Sequence, residues 1–283
     1  MSFKRIAVLF ARILALTLIG IITMIVSSAI TPQPEIIKLA ATSDSSQSMI
    51  MMILVRFILA IIFAFILEKT CQRGFRLMGL LVWVVFGITT FMTQIETLIF
   101  GSAFPMLSVN DVFLLVYTSL VETLIFVPLA VLIMGKWKSN GQAKESLFHN
   151  SYLVPGAILA VIYPVLYFFF GYFVAWQSSA VREFYATTTI TTAQPLLTFI
   201  QIGRGFLWVI VGLPLLVLFE KRTDKIIASV LCYGLFPSIG LLYPNPLMPE
   251  PVRMAHFVEV TISMAIFGLL FGLLMTKKEP VTE

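Results

Sequence analysis

The sequence predicts an all-α fold, a polytopic transmembrane helical bundle of about eight helices, and three observations lead to this prediction. Hydrophobic residues make up 59% of the 283-residue chain and charged residues only 12%, and the mean hydropathy is +0.99. A soluble domain of this length could not bury so much apolar surface. Apolar runs of membrane-spanning length recur along the chain. These runs do not alternate apolar with polar residues, as the strands of a membrane barrel would.

Eight apolar runs have a length close to the roughly 20 residues that a helix needs to cross a bilayer. They cover residues 6–30, 50–67, 77–100, 112–134, 152–176, 195–219, 226–243 and 254–275. Lys4 and Arg5 precede the first run, and Ser27-Ser28-Ala29 near its end resembles the cleavage site of a signal peptide. Because this run is longer than the apolar core of an ordinary signal peptide, we expect it to be retained as a helix.

The lysines and arginines between the runs divide unequally between the two sides of the predicted membrane. One side holds only Lys38, Arg182 and Arg253, and the other holds Lys4, Arg5, Lys69, Arg73, Arg76, Lys136, Lys138, Lys144, Lys221, Arg222, Lys225, Lys277 and Lys278. Because cytoplasmic loops carry the positive excess, we expect a multi-pass protein of a bacterial-type cytoplasmic (inner) membrane with both termini in the cytoplasm. This topology accounts for the net charge of +5, so we expect membrane lipids and no nucleic acid as partners.

The two halves of the sequence resemble each other, which predicts an internal repeat. The second run of each half ends in an apolar residue followed by Glu-Lys, at 67–69 and 219–221. The fourth run of each half contains Val-Glu, at Glu122 and Glu259. Four crossings per half would insert both copies in the same orientation, about a pseudo-twofold axis along the membrane normal. We therefore predict two four-helix membrane repeats, 1–146 and 147–283.

Charged residues inside predicted membrane helices give the candidate site. Arg56 and Glu122 lie in the first half, and Arg204 and Glu259 lie at related places in the second. At 1.5 Å per residue, all four are roughly 9 to 15 Å from the outer ends of their runs. Charges at such depths are costly and usually face a protein interior or an aqueous cavity. With their polar neighbours they form a candidate intramembrane polar site of Arg56, Glu96, Glu122, Gln201, Arg204, His256 and Glu259.

Several chemistries are unsupported by the residues present. The chain has no H-E-x-x-H zinc pair, no phosphate-binding G-x-x-x-x-G-K-[ST] loop and no G-x-S-x-G nucleophile elbow. His256 and Glu259 would supply two metal ligands, and Glu96 is the only obvious third. We therefore expect neither a metal, nor a cofactor, nor catalytic residues.

Two functions remain open, because the sequence does not determine which arginine pairs with which glutamate. The first is binding or movement of a small solute or a proton through a polar cavity in the outer half of the membrane. In that function Glu122 and Glu259 would titrate, with Arg56 and Arg204 as counter-charges. The alternative is a non-catalytic structural or accessory membrane subunit, in which the same pairs only hold helices together. A membrane-embedded enzyme acting near His256 and Glu96 is less favoured than either.

Overall fold

The computed structural model describes residues 3–35, 45–104, 106–139, 146–186, 194–245 and 247–276, and these are helical with no β-strand. In this part of the chain, seven helices are long and apolar enough to cross a membrane: Phe3–Ile30, Ser48–Lys69, Gly74–Ile99, Val109–Ile133, Asn150–Gln177, Pro195–Leu218 and Glu250–Met275. The predicted all-α fold, with several helices long and apolar enough to cross a membrane, is thereby confirmed. Lys38, Lys144, Lys277 and Lys278, which contribute to the predicted topology, lie outside the described residues.

The described residues form eleven α-helices. They are α1 (Phe3–Ile30), α2 (Ser45–Lys69), α3 (Gly74–Phe86), α4 (Met92–Ile99), α5 (Val109–Ile133), α6 (Leu153–Phe173), α7 (Ser179–Ala186), α8 (Gln194–Gly212), α9 (Pro214–Leu218), α10 (Arg222–Leu235) and α11 (Glu250–Met275). A π-helical segment, Gly87–Phe91, joins α3 to α4 within one continuous span. Pro214 begins α9 directly after α8, because proline is accommodated at the first position of a helix.

The seventh predicted run, 226–243, differs from the other runs in the structure. It forms the 14-residue helix α10, then a turn that contains Pro237, and then a 3₁₀ segment, Ile239–Leu242. A helix of this length rises about 21 Å, which is short of the roughly 30 Å hydrocarbon core. Pro237 lacks a backbone N–H and so removes one helical hydrogen bond, which favours a break here. The described residues thus contain seven long helices where the sequence predicts eight.

Hydrogen bonds to α11 fix where the shortened segment lies. Near its start, Arg222 Nε donates to Thr276 Oγ1 over 3.0 Å, just beyond the end of α11. Near its end, Arg253 Nη1 donates to the carbonyl of Leu241 over 2.9 Å, close to the start of α11. Between these points, Gly268 brings the two backbones together, because an added Cβ would collide with the carbonyl of Ser229. The segment therefore runs antiparallel to α11 along nearly its whole length.

One end of the bundle carries many of the basic side chains, and we call it the basic end. It includes Arg5, whose guanidinium contacts Glu68, and Lys136, whose ammonium donates to the carbonyl of Thr70 over 3.0 Å. The other end, which we call the opposite end, includes α7 and the start of α11. There Tyr185 on α7 lies beside His256 on α11.

The helices pack in the same order within each half of the chain. In the first half α1 packs against α2 and α5, and α3 packs against α5. In the second half α6 packs against α8 and α11, and α10 packs against α11. Between the halves, α3 contacts α8 and α9, and α2 contacts α10 and Ile239–Leu242. The second helical segment of each half therefore meets the third segment of the other half.

Hydrogen bonds join the two halves at the basic end. Helix α9 ends at Leu218, where helical carbonyls lose their intrahelical partners. Thr70 Oγ1 and the backbone N–H of Cys71 both donate to the carbonyl of Leu218, over 2.7 and 3.0 Å. Gln72 Nε2 donates to the carbonyl of Val217 over 2.9 Å. The segment after α2 thus caps the end of α9, and Thr70 and Gln72 are buried there.

Candidate functional site

A cavity of about 510 Å³ lies toward the opposite end of the bundle, between α4, α6, α7, α8 and α11. Its polar lining consists of Thr93, Glu96, Thr97, His256, Glu259 and Ser263. Most of the remaining wall is apolar, and its aromatic members include Phe104, Tyr163, Tyr167, Trp176, Tyr185 and Trp208. A concave, mainly apolar site with a few converging polar groups is typical of small-molecule binding sites.

Arg204 on α8 forms the ion pair behind one wall of the cavity. Its Nη2 donates to Glu96 Oε2 over 3.0 Å, and its Nη1 donates to Gln201 Oε1 over 2.8 Å. The Arg204 side chain is 2% exposed, whereas that of Glu96 is 40% exposed. The guanidinium carbon also lies 5.6 Å from the centre of the Tyr163 ring. Arg204 therefore neutralises Glu96 from within the bundle and leaves that carboxylate accessible from the cavity.

The π-helical segment Gly87–Phe91 affects where Glu96 points. One extra residue within a helix rotates all following side chains by about 100°, and such π-bulges are frequent at functional sites. Thr89 and Thr90 lie in this segment, and Thr89 Oγ1 donates to the carbonyl of Val85 over 2.6 Å. The bulge thus changes the face that α4 presents relative to α3, and Glu96 on α4 reaches α8 of the other half.

His256 and Glu259 lie three residues apart on α11, so their side chains share one face of the helix. His256 Nδ1 and Glu259 Oε2 are 2.9 Å apart, and His256 Nε2 lies 3.3 Å from the Tyr185 hydroxyl. The Glu259 side chain is 10% exposed. A continuous hydrogen-bonded chain therefore connects Glu259, through the imidazole, to Tyr185.

Tyr185 belongs to α7, a short helix that covers the cavity at the opposite end. Val181 is fully buried and anchors this helix, and the Tyr185 ring stacks on Trp176 with centroids 5.9 Å apart. Burial raises the pKa of Tyr185, and the carboxylates of Glu96 and Glu259 raise it further. The phenol therefore remains protonated at neutral pH and can donate its hydrogen bond.

Arg56 and Glu122 form a separate pair in the first half of the chain. Arg56 Nη1 lies 2.5 Å from Glu122 Oε1, and the two side chains are 15% and 20% exposed. The Tyr243 hydroxyl lies close enough to this guanidinium to interact with it electrostatically. Neither Arg56 nor Glu122 lines the cavity.

The structure thus divides the seven predicted site residues into two groups. Glu96, His256 and Glu259 line the cavity, and Arg204 and Gln201 stand directly behind Glu96. Arg56 and Glu122 form the second group, a separate ion pair that does not line the cavity. One arginine pairs within its own half and the other pairs across the halves, which the sequence left open.

Sequence reasoning missed the aromatic part of the site. Trp176 lies near the end of a predicted run, where an aromatic membrane belt is expected, and the segment after it is not a predicted helix. The i, i+3, i+4 spacing of Val181, Phe184 and Tyr185 was a signal for α7. Trp208 and Tyr163 carry no comparable signal, because each lies inside a continuous apolar run.

Comparisons with known proteins give no information about the chemistry of the site. No protein-family model, curated protein or solved structure matches the chain. Within the described ranges, no three His, Cys, Asp or Glu side chains cluster closely enough to hold a metal ion. The polar groups and aromatic surfaces of the cavity are therefore the basis for any functional inference.

Proposed function

We propose that this protein binds a small solute in the cavity at the opposite end of the bundle and moves that solute, or a proton, across a membrane. The observation that carries the proposal is a cavity of about 510 Å³ that reaches two glutamates and a histidine inside the bundle. Ionisable groups within membrane helices are retained where they contact a pathway or a partner. A structural subunit requires only that its helices pack together, whereas solute binding requires a cavity of this kind.

The topology proposed for this function has eight crossings in two parallel repeats, 1–146 and 147–283. The antiparallel course of α10 and Ile239–Leu242 along α11 supports counting this segment as a crossing. The repeat is supported by the matching order of helix packing within each half and by the reciprocal contacts between them. An interface in which each copy offers the same surfaces to the other is typical of twofold symmetry. The basic end would then face the cytoplasm of a bacterial-type inner membrane.

Within this proposal Glu259 is the group that exchanges protons or contacts the solute. Its hydrogen-bonded partner is His256, whereas Glu122 and Glu96 are each held by an arginine. Because its partner in the described structure is an imidazole and not an arginine, the Glu259 carboxylate can take up a proton or attract a cation from the cavity. The chain from Glu259 through His256 to Tyr185 supplies a route for that proton toward the opposite end.

The Arg56–Glu122 pair has a structural role in the same proposal. It joins α2 to α5 and lies away from the lining of the cavity. Ion pairs and hydrogen bonds between membrane helices commonly fix how the helices pack. This pair is the one observation that favours the alternative function, an accessory subunit whose helices are held together by such pairs.

Cysteine accessibility tests the proposal. In a protein with Cys71→Ser and Cys232→Ala, we expect single cysteines at Thr97 and Ser263 to react in whole cells with a membrane-impermeant thiol reagent. Both positions line the cavity, and each lies within a helical turn of a cavity glutamate. The expected reaction is slower than at an exposed position such as Glu250, because the reagent must enter the cavity.

The control position is Ser229 on α10, which is fully buried away from the cavity and should stay unlabelled. If Thr97→Cys and Ser263→Cys remain as unreactive as Ser229→Cys while Glu250→Cys labels, no aqueous path reaches the glutamates. The accessory function would then replace the proposed one.

A further inference from the structure

We infer that the solute bound by this cavity is a monovalent organic cation with an aromatic or compact hydrocarbon body. This inference rests on the proposed function, because it names the class of solute that the same cavity would take. Three features of the cavity carry it: its net charge, the aromatic surfaces around the charge, and its shortage of oxygen ligands.

The net charge around the cavity is negative. Two carboxylates line the cavity, and Arg204 compensates one of them, Glu96. Among the described residues, the hydrogen-bonding partner of Glu259 is the imidazole of His256, so the cavity carries a charge of minus one when that imidazole is neutral. A cation entering the cavity would contact Glu259 beside a mainly apolar wall, where an opposite charge interacts more strongly than in bulk water.

Aromatic rings surround this charge. Tyr163, Tyr167, Tyr185 and Trp208 all contribute to the lining, and the face of an aromatic ring attracts a cation. The protein already uses this attraction, since the guanidinium of Arg204 lies over the Tyr163 ring. Aromatic cages of this kind are the usual means of binding quaternary ammonium groups, which have no hydrogen to donate.

The lining suits an organic cation better than an inorganic one. Small metal cations need about six or more oxygen ligands in a compact shell, whereas the oxygens here are spread around a mainly apolar wall. A volume of about 510 Å³ lies within the range of sites for small organic molecules. An organic anion would meet Glu259, and among the described lining residues there is no uncompensated positive side chain to hold it.

Ligand protection of Ser263→Cys tests this inference with benzyltrimethylammonium as the probe. We expect this cation to slow labelling by the impermeant reagent in a saturable way. Benzoate and benzyl alcohol, which keep the ring and replace the cationic group by an anion or a hydroxyl, should protect at least tenfold less well at equal concentration. The cation should also change the fluorescence of the wild-type protein, because Trp176 and Trp208 line the cavity.

Glu259→Gln should weaken binding of benzyltrimethylammonium at least tenfold, as followed by tryptophan fluorescence. The matched control is Glu122→Gln, which changes a membrane-buried glutamate away from the cavity and should leave the affinity unchanged. Because the comparison of the three ligands uses a single protein, it stands even if Glu259→Gln fails to fold.

The outcomes separate the two proposals. If Ser263→Cys labels in the absence of ligand and benzoate or benzyl alcohol protects it as well as the cation, the inference about the solute is wrong and the accessible cavity stands. If labelling occurs and none of the three ligands protects, the inference is likewise overturned. If neither Ser263→Cys nor Thr97→Cys labels while Glu250→Cys does, the proposed function itself fails.

Discussion

Replacing Arg204 with leucine is expected to destabilise the protein by about 3 kcal/mol, measured by thermal or denaturant unfolding in detergent. Removing one partner of a buried ion pair costs about 3–5 kcal/mol, because the other charge is left uncompensated. We expect the lower end of that range because the Glu96 side chain is 40% exposed and keeps contact with solvent. The same change deprives Gln201 Oε1 of its donor, which lies 2.8 Å away.

Two further variants identify the cause of this loss. Arg5→Leu removes an arginine whose side chain is 65% exposed and which pairs with Glu68 at the basic end, so it should cost no more than about 1 kcal/mol. Adding Glu96→Gln to Arg204→Leu should recover part of the stability, since no unpaired charge remains. A loss from Arg204→Leu no larger than that from Arg5→Leu would contradict the assigned pair across the halves.

Gly205→Ala is expected to destabilise the protein by about 1–3 kcal/mol, the usual range for overpacking. Gly205 on α8 touches the backbone of α6, and an added Cβ would lie 2.8 Å from the Cα of Ala160. Helices α6 and α8 would have to separate. Because Tyr163 and Trp208 stand on these two helices, the same separation should weaken any binding in the cavity.

Gly203→Ala is the matched control in the same helix, two residues away. Apart from the nearby backbone of its own helix, no atom of the described residues lies within 4 Å of a Cβ added at Gly203, so alanine meets no packing neighbour there. Alanine also favours helix more than glycine, by up to about 1 kcal/mol. We expect Gly203→Ala to be neutral or slightly stabilising in a thermal unfolding measurement. Equal losses from both substitutions would mean that α6 and α8 do not pack as described.

The fold class was predictable because it depends on properties summed over many residues. Apolar runs near 20 residues long can satisfy their backbone groups in lipid only as helices, whatever their detailed packing. The shared face of His256, Glu259 and Ser263 on α11 was predictable for a similar reason, since it follows from helical periodicity alone. All three residues line the cavity.

Contacts between helices were less predictable. The pairing of Arg204 with Glu96 depends on the rotation of α4 about its axis. The π-helical segment before α4 changes that rotation, and no pattern in the sequence predicts this segment. The end of α10 is a contrasting case. Pro237 interrupts the seventh run. Proline is tolerated inside two other helices, however, as Pro128 in α5 and Pro164 in α6, so the presence of a proline alone does not predict a break.

The most direct test of the central claim, a water-filled cavity beside Glu259, is the accessibility of a nitroxide spin label at Ser263 in lipid bilayers. Collisions with a water-soluble nickel chelate report water, and collisions with molecular oxygen report lipid. We predict that the label at 263 collides more with the chelate, whereas a label at the adjacent Ile262, which is 43% exposed on the outer surface of the bundle, collides more with oxygen. If position 263 is accessible to neither, or responds like 262, the cavity does not hold water and the proposed function is contradicted.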